Sequence, residues 1–131
     1  MIRVNVTIAA PAEQIWDAFT QPEHIINWNF ASEDWHCPEA SNDLTDGGEF
    51  AYTMAAKDGS FSFVLKGNFD RISAPNALDY HLADGRKVTV RISEDGNMVQ
   101  EFEPENQNSE ELQRQGWQSI LEQFKKYIES N

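Results

Sequence analysis

Apolar and polar residues alternate from the first residues of the chain. Ile2, Val4, Val6 and Ile8 fall on one side and Arg3, Asn5 and Thr7 on the other. A two-residue period of this kind predicts a half-buried strand. The period changes after Ala10-Pro11. Ala12, Ile15, Trp16 and Phe19 recur at the three- and four-residue spacings of one helical face. Pro11 suits the first position of that helix and Glu13 its positive end. Pro22 ends it and opens a short second helix carrying Ile25, Ile26 and Trp28. Residues 29 to 46 show no period and read as a polar, irregular segment.

Alternation then returns in a series. Gly47-Gly48 signals a turn, after which Phe50, Tyr52 and Met54 share a face. Asp58-Gly59 predicts a hairpin. The next strand puts Phe61, Phe63, Leu65 and Phe69 on one side. Ala74-Pro75-Asn76 turns the chain before Leu78, Tyr80 and Leu82. Asp84-Gly85 precedes Val88, Val90 and Ile92, and Asp95-Gly96 precedes Met98, Gln100 and Phe102. Hairpin-length connections imply an antiparallel meander. Asn108 reads as a helix N-cap with Glu111 as its capping-box partner. A long helix follows to about residue 129, with Leu112, Gly116, Trp117, Ile120, Leu121, Phe124 and Ile128 as its apolar stripe. Glycine inside a helix costs stability, so Gly116 predicts close packing against a neighbour. A meander with one apolar face needs a cover, and this helix is the natural one.

The predicted class is α+β: a curved antiparallel sheet of about six to seven strands around a long C-terminal helix, with two short helices after the first strand. That order resembles the helix-grip fold of START-like proteins, which birch-pollen-allergen-like proteins share. Ile8-Ala9-Ala10-Pro11-Ala12-Glu13-Gln14-Ile15-Trp16-Asp17-Ala18-Phe19-Thr20 is similar to the strand-to-helix opening of the activator homologues of the heat-shock-protein-ninety ATPase. Gln21-Pro22-Glu23-His24-Ile25-Ile26-Asn27-Trp28 resembles their second helix. Asp43-Leu44 with Gly47-Gly48-Glu49-Phe50, Lys57-Asp58-Gly59-Ser60, Gly67, Asp70-Arg71-Ile72 and Gly116-Trp117 continue the likeness. The resemblance spans residues 1–131 as one START-like domain. It implies relatives that bind lipids, hormones or polyketides, a few cyclases, and co-chaperones that carry this domain beside a second one. One fold hosting many functions is the general rule.

Composition narrows this. Of 131 residues, 40% are hydrophobic, including four Trp, eight Phe and three Tyr, so the core should be ring-rich. The formal net charge of -12 and the scatter of the few basic residues repel phosphates and anionic lipid headgroups. Neither nucleic acid nor a membrane is an expected partner. One cysteine, Cys37, allows no internal disulfide. The chain opens on a strand pattern with no signal-peptide core, and a cytoplasmic location is expected.

Rings on inward faces should converge between sheet and terminal helix. Trp28, Trp35, Phe50, Tyr52, Phe63, Tyr80, Phe102, Trp117 and Leu121 are candidates either for a plain core or for the wall of an apolar pocket. Gln100 is the candidate polar group of that wall, because a buried amide needs a partner. His81 should face outward, and Glu101, Glu103 and Glu105 a solvent side. Trp35-His36-Cys37-Pro38 offers too few ligands, too close together, for a zinc site. A nucleophilic Cys37 would need a base and an orienting group. No catalytic residue, metal site or cofactor is assigned. The sequence therefore predicts a non-enzymatic domain that binds a small hydrophobic ligand, with a stress-related role. An enzyme of the polyketide cyclase type and a co-chaperone-like protein-binding module are the alternatives. A protein partner and the choice between monomer and homodimer are left open.

The charge balance makes one prediction directly. No DNA or RNA should shift in a gel at physiological salt, and binding of micromolar affinity would contradict the electrostatic reading.

Overall fold

Each alternating run forms a strand, and the apolar side is buried in β1, β5, β6 and β7. The computed structural model describes residues 1–130. In chain order the elements are β1 (Ile2–Thr7), α1 (Ala12–Thr20), α2 (Pro22–Ile25), β2 (Trp35–Asn42), β3 (Glu49–Ala56), β4 (Ser62–Ser73), β5 (Ala77–Leu82), β6 (Lys87–Ile92), β7 (Asn97–Phe102) and α3 (Glu110–Glu129). The seven strands form one curled antiparallel sheet in the order β1-β7-β6-β5-β4-β3-β2. In β5, β6 and β7 the burial alternates residue by residue, so Leu78, Tyr80, Val88, Val90, Met98, Gln100 and Phe102 share the inner face. The predicted helix-grip architecture is present.

The first and last strands of the sheet are its edges, and the two edges are handled differently. Open backbone groups at an edge invite pairing with another chain. At β1 the terminal helix supplies the missing partners. Gln118 accepts from the backbone N–H of Asn5 at 3.3 Å and donates to its carbonyl at 3.0 Å. Lys125 donates to the carbonyl of Thr7, and Glu129 accepts from the N–H of Ala9 at 2.9 Å. At β2 the edge is blunted. Its register against β3 breaks between His36 and Glu39, around Pro38, which has no N–H to offer.

The backbone of α3 runs close to β1 and α1, while its Trp117 stacks on Phe102 of β7 and its Tyr127 bonds His24 of α2 at 2.7 Å. Leu121, Phe124 and Ile128 are buried on its inner side. Each such side chain contributes about 1.5–3 kcal/mol by leaving water. Phe124 meets the edge-on ring of Trp28 at 4.7 Å and that of Phe19 at 5.4 Å. The indole N–H of Trp28 donates to the carbonyl of Ala18 at 2.8 Å. These contacts seat α1, α2 and α3 together at one end of the sheet.

Four expectations need correction. The segment read as irregular contains β2, whose polar residues and proline hide the strand period. The cap of α3 is Ser109, not Asn108: its hydroxyl accepts from the N–H of Leu112, while Glu111 pairs with Arg114. Leu112 and Phe61 are 55% and 60% exposed, because the helix stripe and the β4 face both run past the end of the core. Gly116 is not closely packed, and a Cβ there would meet nothing within 4 Å. Gly67 is the tight position instead: its Cβ would lie 2.2 Å from the carbonyl oxygen of His81 and 2.6 Å from the Phe50 ring.

This contrast is testable in denaturant melts. Gly116→Ala should raise stability by about 0.5–1 kcal/mol, the ordinary helical gain of alanine over glycine. Gly67→Ala should lower it, since backbone and a buried ring would have to move. A lowered midpoint for Gly116→Ala would contradict the open flank of α3.

Candidate functional site

Because α3 stays near β1, the opposite limb of the curled sheet is not directly covered by helix. A cavity of about 330 Å³ remains between β3–β5, β7 and α3. Ligand pockets typically run from about 300 to 1,000 Å³, so this one suits a small molecule of two or three rings. Phe19, Thr20 and Trp28 border it from the helical side. Its mouth follows from the register. The β3–β4 hairpin beyond Ala55 and Ser62, the β5–β6 turn and the loop after Phe102 all lie at one end of the sheet. Phe63, Arg86 and Asn108 frame the opening there.

The wall is built on Phe50, which stacks on Tyr52 at 5.1 Å and meets Tyr80 edge-on at 5.3 Å. Met54, Leu65, Phe69, Leu78 and Leu82 continue it from the same limb. From α3 come Trp117, Ile120 and Leu121.

Polar groups are few and each has a definite partner. Gln100 donates to the phenol oxygen of Tyr80 at 3.3 Å. Asn42, on β2, donates to the phenol oxygen of Tyr52 at 3.1 Å and to the carbonyl of Thr20 at 2.8 Å. The hydroxyl of Thr20 turns back to the carbonyl of Trp16 at 2.8 Å. Gln113, buried at the mouth, accepts from the N–H of Glu105 and donates to the carbonyls of Glu105 and Asn108 at 2.9, 3.1 and 2.9 Å. It thereby holds the loop that leads into α3 against the opening.

Of the residues singled out by sequence, Trp28, Phe50, Tyr52, Phe63, Tyr80, Gln100, Trp117 and Leu121 lie on this wall. Trp35 and Phe102 do not. Trp35 sits in an aromatic cluster with Phe61 and Phe63 beside the mouth, at 5.9 and 6.1 Å, because β2 is an edge strand whose bulge turns it off the inner face. Phe102 is fully buried behind Trp117, stacked on it at 3.9 Å. Glu105 was expected on a solvent side but borders the cavity, since it lies past the end of β7 in the loop that Gln113 holds. His81 faces outward and pairs with Asp70 at 2.8 Å. Asn29, Asn42 and Gln113 escaped the sequence reading. The one signal for Gln113 is a glutamine four residues before Trp117, on the inward helix face.

Cys37 is buried beside this region. Its thiol donates to the carbonyl of Glu39 at 3.4 Å, and burial pushes its pKa from 9.0 up to about 11, against the smaller opposing effect of hydrogen bonding with Asn29 and Glu39. The nucleophile is the thiolate, which this environment suppresses at neutral pH. Burial likewise raises Tyr52 from 10.0 to about 12 and Tyr80 further still, so both phenols keep their protons. Among the described residues no three His, Cys, Asp or Glu side chains cluster as a metal site, and no helix is long and apolar enough to cross a membrane.

The profile of the family described as Activator of Hsp90 ATPase homolog 1-like protein matches residues 9–129. The chain belongs to this family. Its fold is similar to the solution structure of the AHSA1-like protein from Aeromonas hydrophila, with a TM-score of 0.91, 41% identity, and 98% of this chain and 92% of that one covered. A protein from Cytophaga hutchinsonii is similar at a TM-score of 0.84 and 45% identity, covering 99% and 92%. A Chromobacterium violaceum protein shares the fold at a TM-score of 0.83 and 22% identity, covering 99% and 97%. No curated protein matches the sequence. The Activator of Hsp90 ATPase homolog 1-like fold is in general a ligand-binding helix-grip module.

The buried acids fix a pH response. Cys37 and Tyr52 lose their protons near pH 9.0 and 10.0 when unfolded but only near 11 and 12 when folded. Across that window the folded chain binds more protons, so their contribution to stability is intact below about pH 9 and is lost as pH rises through about 12. Urea midpoints of Tyr52→Phe should therefore fall less between pH 9 and pH 12 than those of the unaltered protein. Parallel declines would show that Tyr52 is not held in a dry site.

Proposed function

We propose that this domain binds a small hydrophobic ligand in the cavity between its sheet and α3. The observation that carries this reading is the cavity itself: about 330 Å³ under a ring-lined sheet, bordered mainly by apolar side chains. Protein interiors close-pack, and voids larger than a water molecule are few. A void of this size forfeits packing contacts on every wall. A ligand restores them, and apolar clefts with a few convergent polar groups are the usual sites for that.

The alternatives have less behind them. Nucleophilic chemistry at Cys37 is opposed by its raised pKa. A co-chaperone role draws on the family's description and on no feature of this site.

Two tryptophans border the cavity, Trp28 and Trp117. Titration with fatty acids, flavonoids or an environment-sensitive dye should change tryptophan emission saturably, and Trp117→Phe should reduce that change. A broad panel that gives no saturable response would overturn the proposal.

A further inference from the structure

We infer that the cavity recognises the hydroxyl group of an uncharged, ring-bearing alcohol or phenol through the Tyr80–Gln100 pair, with Tyr52 as a neighbouring donor. This rests on the ligand-binding reading above and specifies the ligand's polar end.

Donors and acceptors at this pair are not all used within the protein. Gln100 is 7% exposed and Tyr80 9%, and both border the cavity. Their single mutual bond, 3.3 Å from the Gln100 amide nitrogen to the Tyr80 oxygen, uses one amide N–H and one phenol lone pair. The Tyr80 O–H and the Gln100 carbonyl oxygen have no partner in the protein. Every fully enclosed side-chain nitrogen and oxygen among the described residues is partnered. The unused carbonyl oxygen of Gln100 therefore faces free space, and the free space beside it is the cavity. The second amide N–H of Gln100 is also unused, and turning the amide end for end leaves Tyr80 donating to the amide oxygen with both amide N–H groups and a phenol lone pair free, so either way the pair presents donors and an acceptor side by side. Tyr52 adds a second free O–H, since its oxygen already accepts from Asn42.

A side-by-side donor and acceptor matches a hydroxyl, which both gives and takes a hydrogen bond. The site does not match an ion. The charged residues that border the cavity are Arg86 and Glu105, both toward the mouth, and Arg86 already bonds Asp84 at 2.8 Å. A carboxylate placed at Tyr80 would be buried without a cation beside it, which is costly. The surrounding rings, Phe50 and Trp117 among them, favour a flat or ring-bearing body by stacking.

The test is calorimetric titration of the full chain at pH 7 with naphthalene, 2-naphthol and 2-naphthoate, which share a ring system and differ at one position. 2-Naphthol should bind about five- to tenfold more tightly than naphthalene, the return on roughly one net hydrogen bond. 2-Naphthoate should bind more weakly than both. Tyr80→Phe should bring 2-naphthol down to about the level of naphthalene, since the hydroxyl that bonds the ligand is gone and Gln100 loses its Tyr80 partner as well. Unaltered naphthalene binding shows that the variant's cavity is intact, and the order of the three ligands on the unaltered protein decides the matter even if the variant does not fold. Naphthalene binding as tightly as 2-naphthol, or 2-naphthoate binding best, would overturn the hydroxyl assignment and leave the ligand-binding reading standing. No saturable binding of any of the three would overturn both.

Discussion

The terminal helix is held to the sheet by an edge rather than by the sheet's middle. Gln118 brackets both backbone groups of Asn5, while Lys125 and Glu129 reach Thr7 and Ala9. Backbone groups at an open strand edge are strong hydrogen-bonding sites. Side chains from one helix satisfy them at Asn5 and Thr7 and, just past β1, at Ala9. This fixes α3 over one limb of the sheet. The sheet curls away from it, and the distance from α3 to β3–β5 becomes too large for the intervening side chains to close. The cavity is a consequence of where the helix is tied.

The same constraint sorts the rings into two roles. Near the anchor they pack as core: Phe124 against Trp28, Trp117 flat on Phe102. Away from it Phe50 packs against Tyr52, Phe69 and Tyr80 on the same limb, and these rings border the cavity. Polar groups stiffen the free limb. Asn42 ties β2 to Tyr52 and to the end of α1, and Gln113 ties the loop at the mouth to α3. Satisfied buried networks of this kind hold side chains in one arrangement. A curled limb with little helix behind it needs that support to keep its shape.

Much of this could be read from the chain. Strands with one wet and one dry face announce themselves, which is why β1 and β5–β7 were legible from Ile2 to Phe102. The edge strand β2 was not, because both its faces are partly wet and Pro38 interrupts it. Its loss concealed Asn42, and with it the support of Tyr52. Parity gave the inward faces but not depth along the curl. Phe102 and Tyr80 look alike in sequence, yet one lies under the helix and the other on the free limb. Gly116 illustrates a different limit: a helical glycine signals either close approach or an open flank, and only the path of α3 separates them.

The cavity between α3 and the β3–β5 limb should persist in crystals of this protein. Xenon enters apolar cavities without needing any polar recognition. Diffraction from crystals pressurised with xenon tests the claim most directly. The account predicts xenon density between Phe50, Leu78 and Leu121, with the sheet and helix unmoved. Density confined to other sites, with Leu121 in contact with Leu78 across a closed gap, would contradict it.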